Sequence, residues 1–400
     1  MLSVGEALAI LARAIERKDE VEAPLAEAQG RVLARGVVSD VDWPPFDTSA
    51  MDGYAVRVRD AAAAGAVLRE RPGLAAAGDS IPRALEPGEA VRVMTGAPIP
   101  PGTEAVIPVE RARPEGGTVR FDLAPRPGAH LRRRGESVAA GARLLEAGTR
   151  LSAGDIALAA LAGADPVSVF ERPRVSIAVT GNELVSPREA PRAGQLRDSN
   201  GPMLVALCRS GGWPAALSPR VADDAGQVGR LFAAAGQEED LLVTSGGVSA
   251  GDLDLLPAAA RAGGFEILFH GVRLRPGKPV VLGRRGRTLW LGLPGNPVSS
   301  AVCFHLFVRF ALAALEGDAH PEAPLLTARL SRSVQSDETR EIYRDGVFSS
   351  AGGVNQVEPL PSAGSHDIAA HARADCLIRI PAGAAALPEG SVVECLRIRG

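Results

Sequence analysis

Residues 240–262 read DLLVTSGGVSAGDLDLLPAAARA, and this stretch decides the fold class of the region around it. Residues 240–243 predict a short strand that is apolar after Asp240, a glycine-rich loop occupies 244–254, and Leu255–Ala262 has the apolar spacing of a helix. A strand, a glycine-rich loop and a helix in this order are typical of a parallel α/β unit.

The same alternation of strands and helices continues on both sides. Asn200 and Asn296 are placed to cap two of the helices, and Pro297 suits a first helical position. We therefore predict a doubly wound, mostly parallel α/β domain. Its predicted strands are 175–179, 215–221, 240–243, 265–269, 279–282 and 289–291, and its helices begin near Gly201 and span 224–235, 255–262 and 297–315.

The segments on either side of this region have different residue patterns and predict different secondary structure. Ser3 and Glu6 have capping-box spacing at the start of a predicted amphipathic helix over 3–17. Proline-rich, strand-like segments fill about 21–150 and suggest one domain inserted in another, with a short helix over 153–161. After a proline-containing linker, the C-terminal segment is rich in short strands.

Composition excludes several classes of protein. The 400 residues predict two to four domains, and 46% apolar with 23% charged residues indicates a soluble globular protein. A net charge of −3 disfavours a nucleic-acid backbone as partner. Residues 301–315 are too short to span a bilayer and predict a buried helix, so no membrane association is expected.

Cysteine and lysine usage adds two expectations. Four scattered cysteines without C-x-x-C spacing fit a reducing cytosol, and the first residues do not resemble a signal peptide, so a cytoplasmic protein is expected. Of the 44 lysine and arginine residues, only Lys18 and Lys278 are lysine. Where arginine is the default, Lys278 calls for a chemical reason.

Polar loops follow the predicted strands of the α/β region. Because ligands of an open α/β sheet bind beyond the carboxyl ends of the strands, these loops are candidate binding segments. They are Thr180-Gly181-Asn182-Glu183, Asp198-Ser199-Asn200-Gly201, the loop 244–254 and Leu293-Pro294-Gly295-Asn296-Pro297.

The loop 244–254 has the composition of a phosphate cradle. Its glycines let backbone N–H groups turn toward an anion, its serines add hydroxyl donors, and its two aspartates suit a hard cation such as Mg²⁺. A glycine-rich turn with capping acids is the alternative, but four polar loops at one sheet edge favour a binding site. The residues concerned are Ser245, Gly246, Gly247, Ser249, Gly251, Asp252 and Asp254.

The segment Arg275-Pro276-Gly277-Lys278-Pro279 carries two cations on a tight turn between strands. The prolines restrict the backbone, so that Lys278 as a point charge and Arg275 as a fork can bind one oxyanion. An ordinary basic hairpin tip is the alternative. The rarity of lysine in this chain favours the oxyanion clamp.

Together these segments resemble the molybdopterin molybdenumtransferase family, which includes the bacterial MoeA proteins and gephyrin E domains. The resemblance runs in family order over nearly the whole chain. The matching stretches are FDTSAMDGYAVR (46–57), MTGAPIPPG (94–102), RRRGE (132–136), TGNEL (180–184), DSNG (198–201), TSGGVSAGDLD (244–254), RPGKP (275–279) and GLPGNPVS (292–299).

The resemblance implies an architecture and a reaction. The fold class is multidomain: a MogA-like α/β domain, β-rich N-terminal domains and a C-terminal β-barrel. The implied limits are 1–44 with 136–172 for a linker and dimerisation domain, 45–135 for the inserted β-rich domain, 173–318 for the α/β domain and 322–400 for the barrel. The implied enzyme is a homodimer that inserts molybdate into adenylylated molybdopterin, releases AMP and requires Mg²⁺.

The resemblance also implies partners and residue roles. Molybdopterin adenylyltransferase and molybdoenzyme clients are further implied partners. The implied catalytic residues are Asp254, Glu183, Lys278 and Asp52, and Asp254, Asp223 and Asp224 are implied for the metal. The implied substrate-binding residues are Thr95, Asp198, Ser199, Ser245, Gly246, Gly247, Ser249, Arg275, Pro294, Gly295, Asn296, Pro297, Arg340 and Ser365.

Four positions depart from the family pattern: Ser137, Leu255, Gly271 and Arg275. They leave two alternatives to the enzyme. One is a non-catalytic relative that binds or delivers the pterin. The other is the related adenylyltransferase activity, against which the additional β-rich domains argue.

Overall fold

The computed structural model describes residues 1–237, 239–248, 255–383 and 386–399. Within these residues, three six-stranded sheets and several two-stranded pairs divide the chain into the predicted kinds of domain. The domain limits inferred from the sequence remain predictions.

The central part of the chain is a doubly wound α/β domain, as predicted. Its sheet has the order Ala215–Leu217, Val175–Val179, Leu241–Ser245, Thr288–Leu293, Val281–Arg285 and Glu266–His270. The first three pairings are parallel and the last two antiparallel, so the sheet is mostly parallel.

Helices cover both faces of this sheet, because alternate strand residues on each face are apolar. Leu204 of Asn200–Ser210 and Val302 of Pro297–Cys303 pack in the core on one face. Val228 of Ala225–Ala234 and Leu256 of Leu255–Ala262 pack in the core on the other.

The apolar helix that starts at Pro297 is interrupted once. It runs as Pro297–Cys303, a π-helical turn Phe304–Val308, and Arg309–Leu315. Its mean hydropathy of 1.8 would allow a membrane span, but 89% of its apolar window is buried inside the protein. The prediction of a buried core helix is confirmed.

The N-terminal helix belongs to the same core. It spans Val4–Ala14, shorter than predicted, because the backbone at Ile15 is already extended. The predicted capping box is present: Glu6 N donates to Ser3 Oγ, and Ser3 N donates to the Glu6 carboxylate. Leu11 is fully buried in the α/β core.

The N-terminal half contains an insertion, as the sequence suggested. Strands from both sides of it pair: Glu20–Ala23 with Val167–Phe170, and Val37–Val38 with Arg143–Leu145. A short helix Leu25–Ala28 and the predicted helix Ala153–Leu161 complete this part.

The inserted segment forms its own six-stranded sheet and core around Tyr54 and Phe121. The pair Thr48–Ser49 and Leu131–Arg132 closes its base, where the chain enters and leaves. The strand order is Ala105–Pro108, Gly53–Val56, Glu89–Val93, Val67–Ala75, Thr118–Phe121 and Ala112–Glu115, with 3₁₀ turns at Val58–Ala61 and Val109–Arg111.

The C-terminal part is a closed five-stranded barrel. Its strands follow the order Glu341–Ala351, Val354–Pro359, Leu325–Leu330, Val392–Arg397 and Cys376–Ile380, and the last pairs with the first. The short strand Leu274–Arg275 of the α/β domain pairs with Glu341–Ala351. This pairing places the Arg275–Pro279 turn next to the barrel.

Candidate functional site

Three parallel strands end at one level of the α/β sheet. Val179 lies beside Ser245, and Ser245 lies beside Leu293. The loops that follow are therefore neighbours, as predicted, and Gly246 N donates to Leu293 O at 3.1 Å. Polar side chains on these loops face a common edge.

A buried network joins three of these loops. Asn200 Nδ2 donates to Ser245 Oγ at 2.9 Å and to Gly295 O at 2.7 Å, and Ser245 Oγ donates to Pro294 O at 3.3 Å. Asn200 is thus the first residue of its helix, not its cap as predicted, because its amide is engaged across the loops. Ser245 and Asn200 therefore connect the loops through buried hydrogen bonds.

The start of the glycine-rich loop lies against Thr180. Gly246 and Gly247 have φ of +96° and +64°, a region that glycine adopts without strain, and a Cβ on Gly246 would lie 2.6 Å from Thr180 O. The Thr180 hydroxyl is buried and finds no hydrogen-bond partner in the described part of the chain. Ser249 and Asp254, predicted from the same loop, lie outside the described residues.

His270 ties the next residue of this loop to the sheet. It ends the strand Glu266–His270, and its Nε2 lies 3.0 Å from Val248 O. The glycine-rich loop is therefore held on one side by Thr180 and on the other by His270.

The Thr180–Glu183 loop is joined to the segment carrying the predicted metal ligands. Asn182 N donates to Asp223 Oδ2 at 3.3 Å, and Asp223 N donates to Asn182 Oδ1 at 3.1 Å. Asp224 caps the helix Ala225–Ala234 by accepting from Gln227 N at 2.9 Å. Glu183 is exposed on the same loop.

Asp198 and Ser199 precede the helix Asn200–Ser210. Gly201 N donates to Asp198 Oδ1 at 3.0 Å, which fixes the carboxylate at the start of the helix. Ser199 is exposed, and its side chain makes no capping hydrogen bond.

A cavity of about 600 Å³ lies between the α/β domain and the barrel. The α/β domain contributes Arg275, Lys278 and Ser299, and the barrel contributes Arg340 and Ser365 among others. The structure thus brings together four of the predicted oxyanion-binding residues from segments far apart in the chain. Such a concentration of cations and hydroxyl groups suits a small anion.

The loop Pro294–Pro297 connects this cavity with the sheet edge. Asn296 occupies the predicted N-cap position, but its Nδ2 donates to Ser365 Oγ at 2.9 Å rather than capping its own helix. Pro297 is the first helical residue, as predicted, and Val298 N donates to Ser365 O. Ser365 is therefore held to the α/β domain by two hydrogen bonds.

Asp337 orients Arg340 at the cavity and lies near Arg275. Arg340 Nε and Nη2 donate to Asp337 Oδ2 at 2.9 and 2.7 Å, and Arg275 Nη1 lies 4.0 Å from the same oxygen. The hydrogen bonds from Arg340 hold the pKa of Asp337 well below its usual range. Within the described residues, no acidic side chain pairs with Lys278.

Sequence reasoning missed Asp337. The spacing Asp337-x-x-Arg340 was the available signal, since an acid three residues before an arginine can pair with it locally. That signal is common on protein surfaces, and only the barrel places it beside Arg275.

Known proteins resemble this chain over nearly its whole length. Models of the "MoeA N-terminal region (domain I and II)", the "Probable molybdopterin binding domain" and the "MoeA C-terminal region (domain IV)" match residues 2–163, 176–314 and 327–398. Molybdopterin molybdenumtransferase 2 of Mycobacterium tuberculosis is 34% identical over 98% of this chain and 99% of its own length. The chain belongs to the molybdopterin molybdenumtransferase family.

Other family members agree over similar lengths. The molybdopterin molybdenumtransferase of Nostoc sp. is 34% identical over 93% of this chain and 87% of its own. The crystal structure of the molybdopterin biosynthesis MoeA protein from Pyrococcus horikoshii superposes with a TM-score of 0.85 at 29% identity, covering 99% of this chain and 100% of that one. The predicted fold class is confirmed, and so is the predicted role as a transferase of molybdenum cofactor biosynthesis.

Two predicted site residues of this family member lie elsewhere. Thr95 N and Oγ1 donate to Asp52 Oδ1 at 2.8 and 2.9 Å, and these bonds lower the pKa of Asp52. Both residues belong to the inserted domain, which contributes nothing to the lining of the 600 Å³ cavity.

The departures from the family pattern have local explanations at two positions. Gly271 has φ +88°, a conformation in which any side chain would be strained, and its N–H donates to Val280 O. Arg275 keeps a cation at the cavity. Ser137 is exposed and Leu255 begins a helix, and nothing in the structure explains their identity.

Proposed function

We propose that this chain inserts molybdenum from molybdate into adenylylated molybdopterin, with hydrolysis of the adenylyl pyrophosphate bond and release of AMP. The observation that supports the proposal most directly is the cationic cavity beside the sheet-edge loops. One region then accommodates an oxyanion, and the adjoining loops accommodate a phosphorylated pterin.

The oxyanion is molybdate, bound in the cavity. Lys278 supplies a point charge, whereas Arg275 and Arg340 supply planar guanidinium groups that match two oxygens at once. Asp337 keeps Arg340 in one orientation through two hydrogen bonds. Ser365 Oγ accepts a hydrogen bond from Asn296 Nδ2 and can donate its own hydrogen bond to a bound oxygen.

The adenylylated pterin lies along the sheet edge. Gly246 and Gly247 let the chain approach a phosphate closely, and Ser245 anchors the loop from below. Glu183 is exposed where it could orient water at the pyrophosphate. Asp198, Ser199 and Ser249 are assigned to the same substrate.

A divalent cation, Mg²⁺ in our proposal, fits the donors near this edge. Asp223 and Asp224 supply carboxylate oxygens, and each uses one of its oxygens in a local hydrogen bond and retains the other. Mg²⁺ prefers oxygen ligands and needs only one or two carboxylates besides water and substrate phosphates. With Asp254 as a further ligand, the ion would neutralise the pyrophosphate charge.

We further propose a cytoplasmic homodimer in which the inserted domain completes the partner's site. Asp52 and Thr95 carry the polar chemistry of that domain but lie outside the cavity. Trp43, Met51 and Met94 are exposed to 47, 37 and 41%, as expected of a surface that a second subunit covers. Molybdopterin adenylyltransferase and molybdoenzymes are the proposed further partners.

An assay with adenylylated molybdopterin, molybdate and Mg²⁺ tests the proposal. We expect AMP release that depends on molybdate, together with formation of active cofactor. Lys278→Ala should raise the KM for molybdate roughly tenfold or more, because it removes a charged donor from the cavity. Arg332→Ala, a basic residue of the barrel paired with Glu358 on its surface, should leave the KM unchanged.

Tight binding of the pterin without AMP release would contradict the proposed reaction and identify a carrier instead. An unchanged molybdate KM in Lys278→Ala would contradict the oxyanion clamp alone.

A further inference from the structure

Asp345 is the acidic residue among the described lining of the 600 Å³ cavity. It lies on the barrel strand Glu341–Ala351, three residues after Ile342, which pairs with Arg275. A free carboxylate in this wall would repel an oxyanion, and it would accept a hydrogen bond from any anion that still carries a proton. The hydrogen bonding and position of the Asp345 carboxylate therefore affect which anion the cavity binds.

His371, which does not line the cavity, forms a hydrogen bond with this carboxylate. Its Nδ1 lies 2.7 Å from Asp345 Oδ1, and because an ionised carboxylate only accepts hydrogen bonds, Nδ1 donates. The side chains are 11% and 4% exposed, so little of the carboxylate faces the cavity. A short hydrogen bond in such dry surroundings holds the carboxylate in one position.

His371 is itself held in place. It ends the short helix Ile368–His371, which Asp367 caps by accepting from Ala370 N at 3.0 Å. This helix follows directly after Ser365, so the segment that supplies a cavity hydroxyl also supplies the partner of Asp345.

Several other polar groups of the wall are directed as donors. Ser365 Oγ accepts from Asn296 and keeps its proton for a ligand. Lys278, Arg275 and Arg340 can only donate. Tyr343 directs its hydroxyl to Glu341 at 2.7 Å.

We infer that His371 is a positioning residue of the oxyanion cavity, where it withdraws the Asp345 carboxylate so that the cavity selects tetrahedral oxyanions that carry no proton. The inference rests on the proposed function and adds a basis for its specificity. Molybdate and tungstate are fully deprotonated near neutral pH and only accept hydrogen bonds. Hydrogen phosphate has one proton to donate, and the carboxylate among the described lining residues, that of Asp345, is already engaged by His371.

A double-mutant cycle on the full-length protein tests the inference. The dissociation constants of molybdate, tungstate and phosphate are measured by calorimetry for the wild type, His371→Ala, Asp345→Asn and the double variant. We expect His371→Ala to raise the dissociation constant of molybdate about tenfold or more, because the released Asp345 carboxylate repels molybdate. The dissociation constant of phosphate should rise less, because the same carboxylate accepts a hydrogen bond from the phosphate proton. The double variant should recover molybdate binding to within about threefold of the wild type.

His371→Gln is the conservative control, since its amide can still donate to Asp345. It should keep the molybdate preference, and a thermal unfolding curve for each variant identifies any loss of folded protein. Equal weakening of all three anions in His371→Ala, without recovery in the double variant, would mean that His371 is merely structural and would overturn the inference. A wild type that binds no molybdate would overturn the proposed function and this inference with it.

Discussion

Single residues of this protein depend on partners that set their direction. Arg340 is aimed by Asp337, Ser365 by Asn296 and Asp345 by His371. In each pair a hydrogen bond reduces the conformations open to a side chain that lines the cavity. The entropy of ordering these groups is therefore lost on folding rather than on ligand binding.

Gly246 gives the first prediction at this scale. Gly246→Ala should destabilise the fold by about 1–3 kcal/mol and weaken pterin binding, because its φ is +96° and the new Cβ would lie 2.6 Å from a backbone oxygen. Urea unfolding measures the loss. Gly295→Ala is the matched control, since its Cβ would meet only Gly246 Cα at 3.5 Å. Equal stability of the two variants would contradict the packing described for the glycine-rich loop.

Glu89 gives a prediction about pH. The hydrogen bond from Arg71 lowers the pKa of Glu89 from 4.5 to about 2, in opposition to burial, which raises it. A carboxyl whose pKa is lowered on folding stabilises the protein above its unfolded pKa. The contribution, on the order of 3 kcal/mol, is lost as the pH falls from about 4.5 toward 2.

The measurement is the free energy of unfolding between pH 6 and pH 2. Glu89→Gln should be less stable at pH 6 and should lose less stability across this range than the wild type. Glu146→Gln, at a side chain that is 69% exposed, should follow the wild-type curve. If the free energy of unfolding of Glu89→Gln fell with decreasing pH as steeply as that of the wild type, the role given to the pair with Arg71 would be refuted.

At the scale of elements, the N-terminal helix matters beyond its own sequence neighbourhood. Val4–Ala14 packs into the core of a sheet that starts at residue 175, so the first residues of the chain stabilise the α/β domain. Lys18 extends this connection by donating to Asp240 Oδ1 at 2.9 Å, at the start of the central strand.

Leu11→Ala tests this packing. The side chain is fully buried, and its truncation should cost about 2–5 kcal/mol through lost burial and the cavity left behind. Leu196→Ala, at a side chain that is 62% exposed, should change stability by roughly 0.5 kcal/mol or less. Thermal unfolding distinguishes the two, and a small loss in Leu11→Ala would mean that the helix docks only loosely.

At the scale of the whole molecule, the cavity exists because two domains meet. The strand Leu274–Arg275 pairs with the barrel, and the bond between Asn296 and Ser365 adds a second attachment. The Asp52–Thr95 pair lies apart from this junction within one chain. In the proposed dimer the second subunit supplies that pair.

Subunit complementation tests the proposed dimer. At a limiting molybdate concentration, Asp52→Ala and Lys278→Ala should each have little activity. Together they should recover roughly a quarter of wild-type activity, because half of the dimers are mixed and each of these keeps one intact site. Arg275→Ala mixed with Lys278→Ala is the control and should not recover, since both residues line one cavity. Absence of recovery in the first mixture would place each site within a single subunit.

Most of the α/β domain could be predicted from local patterns. Strand Val175–Val179 and helix Leu255–Ala262 match the sequence predictions, and so does helix Ala153–Leu161 of the N-terminal part, because apolar periodicity and capping residues act over a few positions. The prediction of Asn200 as a cap was wrong, because its amide bonds to a distant loop. The helix predicted to reach residue 17 ends at Ala14, since the backbone is extended from Ile15.

The sequence by itself determined the family and the alternation of strands and helices, and it predicted Lys278 with Arg275 as an oxyanion clamp, because these are local patterns of residue type and spacing. Only the tertiary structure decided how the barrel closes on that clamp, and which residues orient its charges. Asp345 and His371 are 26 residues apart in the chain, and Asn296 and Ser365 are 69 apart. Such contacts depend on how complete domains pack, and no short stretch of sequence encodes that packing.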